Sequence, residues 1–262
     1  MKILIVQNKV FEKVEDTIDN IEKILSKANL ENLDFIVFGE MFTTPYDISL
    51  FKDYQQKNEE SLVLKFLKDL SIKTKAYVVG GTVVENSDNK LYNTSYVFNR
   101  VGEVIKKYRK QKLFSIIYPD GSEFSERKVL TPGIKEGIFD TEYGKMGIMI
   151  CFDIRFPLLA TELMKSGAKV IFVPAAFNDF TGPLHWQTCF KARAIDNQLF
   201  LVGASPSADS FGDYKTYGHS LVVDPLGKIL GELSKKSDFL EIDINLDDID
   251  HARSILPIIR NY

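Results

Sequence analysis

Hydrophobic and polar positions change period repeatedly along this chain, and each change marks an element. Met1-Lys2-Ile3-Leu4-Ile5-Val6-Gln7 carries a continuous apolar run that reads as a buried strand, Lys2–Gln7. Apolar residues then fall at Val14, Ile18, Ile21 and Leu25, spacings of four, three and four that lie on one face of a helix. Asp34–Phe38 reads as a short buried strand ending at Gly39-Glu40, and Ser61–Lys75 as a helix with Leu64, Leu67 and Ile72 among its core candidates. Ala76–Val84 has a strand pattern, Asn86-Ser87-Asp88-Asn89 has turn chemistry, and Tyr92–Asn99 returns as a strand.

The second half repeats this style. A strand over Lys145–Cys151 leads to a helix over Phe156–Ser166, stopped by Gly167. Strand Lys169–Pro174 and helix Leu184–Gln198 follow, then strands Leu199–Ala204, Ser220–Asp224 and Phe239–Ile244, with Pro225-Leu226-Gly227 as a turn. Strands alternating with helices, plus hairpins, predict an α/β layered fold, and two comparable halves suggest two sheets packed together. No Pro/Gly/Ser-rich linker divides the 262 residues, so one domain over 1–262 is expected, near the upper size for one core.

Composition works mainly by exclusion. Hydrophobic residues make up 45% and charged residues 26%, the balance of a globular chain rather than a disordered one. A net charge of −3 with both signs mixed leaves no basic stripe, so neither nucleic acid nor an anionic membrane is an expected partner. The apolar run at the start is far too short for a signal peptide or a membrane span, and the expected location is cytoplasmic. Asn93-Thr94-Ser95 matches a glycosylation sequon, which carries little weight without a secretion signal. Two cysteines, Cys151 and Cys189, predict no disulfide in a reducing compartment and cannot build a zinc site alone. His185, His219 and His251 show no ligand spacing and no glycine-rich phosphate loop is present, so neither metal nor other cofactor is expected.

Candidate chemistry sits at strand ends. Glu40 follows strand Asp34–Phe38, and Cys151 ends the strand before the helix that begins near Phe156. A carboxylate and a thiol so placed meet above a sheet edge, where α/β folds form their clefts. Each also has a bland explanation, since a free cysteine is often a small core residue and a terminal glutamate is often solvated. Lys106-Lys107-Tyr108-Arg109-Lys110-Gln111-Lys112 reads as a basic edge strand, in which pattern alone does not single out Lys110, and Glu126 is equally undistinguished.

Four segments taken together are more specific. Phe38-Gly39-Glu40-Met41-Phe42, Tyr108-Arg109-Lys110-Gln111-Lys112-Leu113-Phe114, Phe124-Ser125-Glu126 and Gly147-Ile148-Met149-Ile150-Cys151-Phe152-Asp153-Ile154-Arg155-Phe156-Pro157 occur in one order along the chain. In these, the sequence resembles the nitrilase (carbon–nitrogen hydrolase) superfamily over nearly its whole length. Thr44-Pro45-Tyr46, Thr181-Gly182-Pro183-Leu184-His185-Trp186, Ala192–Gln198, Ala204-Ser205-Pro206 and Tyr217-Gly218-His219-Ser220 make it most similar to the ω-amidase (Nit2-like) branch.

That resemblance implies a four-layer αββα sandwich that forms homodimers, with the C-terminal segment, about 245–262, at the interface. The apolar tail Ile255-Leu256-Pro257-Ile258-Ile259-Arg260 fits such burial. It implies Cys151 as nucleophile of a cofactor-independent amide hydrolase, Glu40 as proton carrier, and Lys110 with the Phe152 backbone N–H as oxyanion donors. Glu126 would orient Lys110. Tyr46, Arg155, Phe177 and Thr181 would line the substrate pocket, Arg155 holding the distant carboxylate of an amide such as α-ketoglutaramate or succinamate. An equally weighted reading pairs Arg155 with a nearby acid such as Asp153. His185 and Trp186 are expected to pack, His219 to act as a structural donor, and Cys189 to sit in the core.

One departure stands out: Lys112-Leu113-Phe114-Ser115 replaces the family's usual His-Leu-Phe-Asp. A second lysine so close predicts a lowered pKa at Lys110 or an altered pocket. Two rival readings remain: turnover of another amide (an N-carbamoyl amine or a deamidated-glutathione-like substrate), or a binding protein without turnover. A Ser–His–Asp hydrolase is set aside, because no Gly-x-Ser-x-Gly elbow occurs.

Overall fold

The computed structural model describes residues 1–57 and 60–261. Strand β1 (Lys2–Gln7) shows how its layers form. Ile3 and Ile5 enter one apolar cluster and Leu4 and Val6 another, as the two-residue period of a strand dictates. After helix α1 (Val14–Leu25), β2 (Phe35–Phe38) divides the same way, Phe35 and Val37 to the first cluster, Ile36 and Phe38 to the second. Helix α2 (Leu62–Thr74) and strand β3 (Tyr77–Val79) follow. Both faces of this sheet are therefore apolar, with α1 and α2 covering the second cluster.

β1, β2 and β3 run parallel. Antiparallel β4 (Val83–Ser87), β5 (Lys90–Phe98) and β6 (Val104–Arg109) extend one edge. A small hairpin, β7 (Ser115–Ile117) and β8 (Glu123–Ser125), stands apart. The second sheet is built from β9 (Ile138–Thr141), β10 (Gly144–Ile148), β11 (Val170–Pro174), β12 (Phe200–Ala204), β13 (Leu221–Val223) and β14 (Ile229–Glu232), which lie in that spatial order. Helix α3 (Pro157–Lys165) joins β10 to β11, and α4 (Gly182–Asn197) joins β11 to β12. β15 (Asp238–Asp243) returns to pair antiparallel with β1, and α5 (Asp247–Ile255) follows it.

The sheets meet through side chains such as Phe35 and Phe172, whose ring centroids are 4.8 Å apart. On α4, Phe190 packs against Gly203 of β12 where any Cβ would collide. The layers are thus α1/α2, sheet, sheet, α3/α4: a four-layer αββα sandwich. Among the described residues no helix is long and apolar enough to cross a membrane.

Three expectations need correction. The strand expected over Ala76–Val84 breaks at Gly80-Gly81, where Gly81 turns to φ +53° with its Cα against the Gly39 carbonyl, so β3 and β4 are separate. The strand expected to reach Cys151 stops at Ile148, and Cys151–Arg155 forms a 3₁₀ turn before α3. Ile72 is 46% exposed; the buried face of α2 runs through Val63, Leu64, Leu67, Leu70 and Ser71 and leaves Ile72 outside it. Of the C-terminal segment 245–262, Tyr262 lies outside the described residues.

Candidate active site

Four strand ends converge. Glu40 lies just past β2, Lys110 directly after β6, Glu126 directly after β8, and Cys151 shortly after β10 in the other sheet. Glu40, Lys110 and Glu126 have no exposed surface, and Cys151 is 5% exposed. Their placement follows from strand parity and backbone pairing. On β6, Lys107 and Arg109 share one face and Tyr108 points into the inter-sheet core, so Lys110 continues on the side of Tyr108. Its main chain is pinned by Lys110 N–H to Asn93 O and Gly133 N–H to Lys110 O, each 2.8 Å.

The Lys110 ammonium holds both carboxylates. Nζ is 2.7 Å from Glu40 Oε1, and 3.0 and 2.9 Å from Glu126 Oε1 and Oε2. Glu126 is fixed in turn by the Phe114 N–H at 2.6 Å and the Tyr46 hydroxyl at 2.7 Å. Glu40 Oε1 also accepts from Asn93 Nδ2 at 2.7 Å and Tyr46 OH at 3.3 Å. Oε2 has no hydrogen-bond partner among the described residues, and the Glu40 carboxylate and the Cys151 thiol influence each other's ionisation.

One cation faces two carboxylates in a fully buried site, which shifts the titration of Glu40, Lys110 and the neighbouring Cys151. Burial raises the Glu40 pKa, Lys110 pulls it down, Glu126 pushes it up again, and the outcome is raised. Burial works against the Lys110 charge, but Glu126 and Glu40 outweigh it and hold its pKa well above the usual lysine range. The lowered Lys110 expected from Lys112 is therefore corrected. Lys112 turns its ammonium to the Phe156 ring, 5.2 Å from the centroid. Burial and the negative field of Glu40 push the Cys151 thiol up, with Lys110 opposing. The thiol is thus held neutral, beside a Glu40 carboxyl group whose proton affinity has been raised.

Cys151 adopts φ +43°, a conformation that costs a residue with a side chain. The 3₁₀ turn it opens leads to α3, and Phe152 follows in its first turn, where backbone N–H groups have no intrahelical partner. Beside the sulfur lies a narrow cleft lined by residues including Phe114, Phe152, Arg155, Phe177, Thr181 and Tyr214. Arg155, Phe177 and Thr181 are thus together at Cys151, whereas Tyr46 sits behind them, bound to the carboxylates and stacked on Tyr214 at 4.5 Å.

A family profile for the carbon-nitrogen hydrolases matches residues 2–254. The chain belongs to the carbon-nitrogen hydrolase family. It is accordingly a hydrolase acting on carbon–nitrogen bonds. The omega-amidase NIT3 of Saccharomyces cerevisiae is 40% identical, the match covering 85% of this chain and 78% of that protein. The omega-amidase NIT2 of Mus musculus is 34% identical over 99% of this chain and 94% of its own. The crystal structure of S. cerevisiae Nit3, from branch 10 of the nitrilase superfamily, superposes with a TM-score of 0.88, 34% identity, and coverage of 100% and 97% of the two chains.

Within this carbon-nitrogen hydrolase the other named residues divide, Trp186 packing as expected and Arg155, His185 and Cys189 departing from expectation. Arg155 forms no ion pair with Asp153, which is bound to Tyr108, Ile150 and Lys112. Its guanidinium instead lies 4.5 Å from the Phe177 ring centroid and donates to His185 Nδ1 at 3.0 Å, so His185 does more than pack. Trp186 is buried against Phe177 and Phe190. His219 stacks on Tyr217 and faces Glu232 at 3.4 Å, and Cys189 is half-buried rather than core. Asn93, noted above only as a sequon, is fully buried against Glu40 and closed to glycosylation in the fold. Its signal was an Asn-Thr-Ser run inside an otherwise apolar strand.

Proposed function

We propose that this hydrolase is an ω-amidase that releases ammonia from the terminal amide of a small monoamide bearing a second carboxylate, such as succinamate or α-ketoglutaramate. The observation that carries the reading is Arg155, half-buried at the Cys151 cleft with no acid partner among the described residues. A guanidinium so placed receives a carboxylate through two parallel hydrogen bonds. The cleft sets the rings of Phe114, Phe152 and Phe177 beside the polar groups of Arg155 and Thr181, a lining that suits a short acyl chain ending in a polar group. The named activity of the similar NIT3 and NIT2 proteins supports the same choice.

Glu40 takes the thiol proton as the Cys151 sulfur attacks the amide carbon and the carbonyl electron pair moves to oxygen. Lys110 has three N–H donors; with two directed to Glu40 and Glu126, the third meets the oxyanion together with the Phe152 N–H. Collapse breaks the C–N bond, the nitrogen leaving as ammonia with the proton from Glu40. Water then gives a proton to Glu40 and attacks the thioester carbon, and departing sulfur recovers that proton. Glu126 orients Lys110, and Phe177 and Thr181 shape the acyl side.

The whole chain, 1–262, is read as one hydrolase domain working in a reducing cytoplasmic setting as a homodimer. Support for the dimer comes from exposed Leu158 on α3 and Leu184 on α4, and from Ile255 and Leu256 in the C-terminal segment 245–262. Ammonia release is measured on succinamate, α-ketoglutaramate, glutamine, asparagine, a simple aliphatic amide, an N-carbamoyl amino acid and a nitrile. Turnover of the first two is expected, with Arg155→Met raising their KM at least about tenfold and leaving a neutral amide unchanged. Preference for the N-carbamoyl substrate, or an Arg155→Met effect equal on all substrates, would refute the assignment.

A further inference from the structure

We propose that Asp153 is a positioning residue for the reaction, a single carboxylate that ties the Lys110 segment of one sheet to the Cys151 turn of the other. Its Oδ1 accepts the Lys112 N–H at 2.8 Å. Its Oδ2 accepts the Tyr108 hydroxyl at 2.8 Å and the Ile150 N–H at 3.0 Å. Tyr108 and Lys112 stand two residues before and two residues after Lys110, and Ile150 immediately precedes Cys151. One carboxylate therefore brackets the oxyanion donor on both sides and fastens that bracket to the nucleophile.

The cost of this arrangement points to a role beyond filling space. Asp153 is fully buried and forms no salt bridge among the described residues. Burying a carboxylate without a contacting cation is unfavourable, and three donors only offset part of it. What the bracket supplies is rigidity between two sheets whose relative shift would change the Lys110–Cys151 separation. It also anchors a Cys151 backbone held at φ +43°.

The groups facing Asp153 are the Tyr108 hydroxyl, the Lys112 N–H and the Lys110 ammonium from the first sheet, and the Ile150 N–H from its own turn. Burial pushes its pKa up to about 6, against the pull of those donors. Above that value the carboxylate accepts all three. Protonated, it carries a hydrogen toward a site already occupied by a donor, and the bracket loosens.

This inference rests on the catalytic roles proposed for Cys151 and Lys110, and the experiment separates the two. Asp153→Asn, Tyr108→Phe, Lys110→Met and Cys151→Ala are assayed with succinamate from pH 5 to 9, with thermal unfolding alongside. In Asp153→Asn one amide group must face a donor it cannot accept. Its kcat is expected to fall about 100-fold with KM changed less than about threefold, since a displacement on the order of 1 Å at a reacting group costs that much. The wild-type acid limb, to which Glu40 also contributes, loses its inflection near pH 6 in this variant.

Tyr108→Phe keeps the ring and removes one donor, and a kcat loss of about five- to tenfold is expected. It serves as the reading if Asp153→Asn fails to fold. A folded Asp153→Asn with kcat within threefold of wild type, or an unchanged Tyr108→Phe if Asp153→Asn does not fold, overturns the inference. If Lys110→Met and Cys151→Ala retain turnover, the catalytic reading falls and takes this one with it; if only these two are dead, the positioning role alone is wrong.

Discussion

Strand β6 and the residue after it feed two charge clusters of opposite make-up. On one face Arg109 reaches Glu85 through Nε and Nη2 at 2.8 and 2.6 Å, Lys107 pairs with the same carboxylate, and Thr94 Oγ1 donates at 2.7 Å. The side chains of Lys107 and Arg109 remain 42% and 29% exposed. On the other face Lys110 serves Glu40 and Glu126 with none of the three side chains exposed. Burial acts to raise the Glu85 pKa, but Arg109, Lys107 and Thr94 outweigh it and hold it below the ordinary value. The Glu40 pKa is raised. The difference teaches that a carboxylate's job depends on how many cations share it and whether water screens them. Two partly exposed cations on one carboxylate hold Glu85 as a fixed anion, whereas one buried cation shared with a second carboxylate leaves Glu40 with a raised proton affinity, as the proposed base role requires.

The sharpest way to break that comparison is to neutralise each carboxylate in turn. Glu40→Gln retains an acceptor for Lys110 and Asn93 but cannot carry the thiol proton. Turnover should fall by about 10³ or more, within the range of acid–base catalysis acting in several steps. Thermal unfolding should move little, because the substitution leaves one carboxylate for one buried cation. Glu85→Gln should keep kcat and KM within about twofold. Comparable activity losses in the two variants, read by ammonia release, would mean that the clusters do not divide the labour.

Removing the shared cation comes next. Lys110→Met leaves two carboxylates buried together and should destabilise the fold by about 3–5 kcal/mol at neutral pH, besides abolishing oxyanion stabilisation worth about 3–4 kcal/mol. The pH dependence has a definite sign. Without the lysine, the folded-state pKa of Glu40 lies still further above its unfolded value, so the folded form binds the extra proton. Stability of the variant is then best below the ordinary glutamate pKa of 4.5 and is lost as pH rises. Urea unfolding at pH 5 and pH 8 should show Lys110→Met closer to wild type at the lower pH.

Glu85 should behave in the opposite sense. Its folded pKa is depressed, so its contribution is complete above the unfolded value of 4.5 and disappears as pH falls through the folded value. Glu85→Gln should cost about 1–2 kcal/mol at pH 7, moderated by the water around Lys107 and Arg109, and should flatten the acid side of the stability profile. A steeper acid side in the variant would contradict the assignment of Glu85 as a fixed anion.

Much of this contrast could be read from the sequence, and the rest failed for physical reasons. The apolar runs of β1, β2 and β11 placed these strands within a residue because strands buried on both faces leave little ambiguity. Hairpin β7–β8, strands β9 and β14 and helix α5 have no clear signal in the sequence, being short or mostly polar. Glu40 and Cys151 were visible as chemistry at strand ends. Lys110 was lost among five basic residues, although its parity with Tyr108 rather than Arg109 was the usable clue. Asn93 and Asp153 were missed because their value lies in partners from distant parts of the chain, Glu40 for one and Tyr108 and Lys112 for the other.

The smallest effect is expected at the departure from the family pattern. Lys112 lends Asp153 a backbone N–H, which any residue but proline supplies, while its side chain is half-buried with the ammonium 5.2 Å from the Phe156 centroid. Such a contact is worth about 0.5–1 kcal/mol. Lys112→His, which restores the family's usual residue, should change kcat and KM by less than about threefold and the unfolding free energy by no more than about 1 kcal/mol. Kinetics with succinamate and urea unfolding at pH 7.5 provide the check. A change of tenfold or more in kcat would mean that the Lys112 charge reaches the buried cluster. The site would then hold two cations for two carboxylates, and the asymmetry with the Glu85 face would have to be explained by solvent alone.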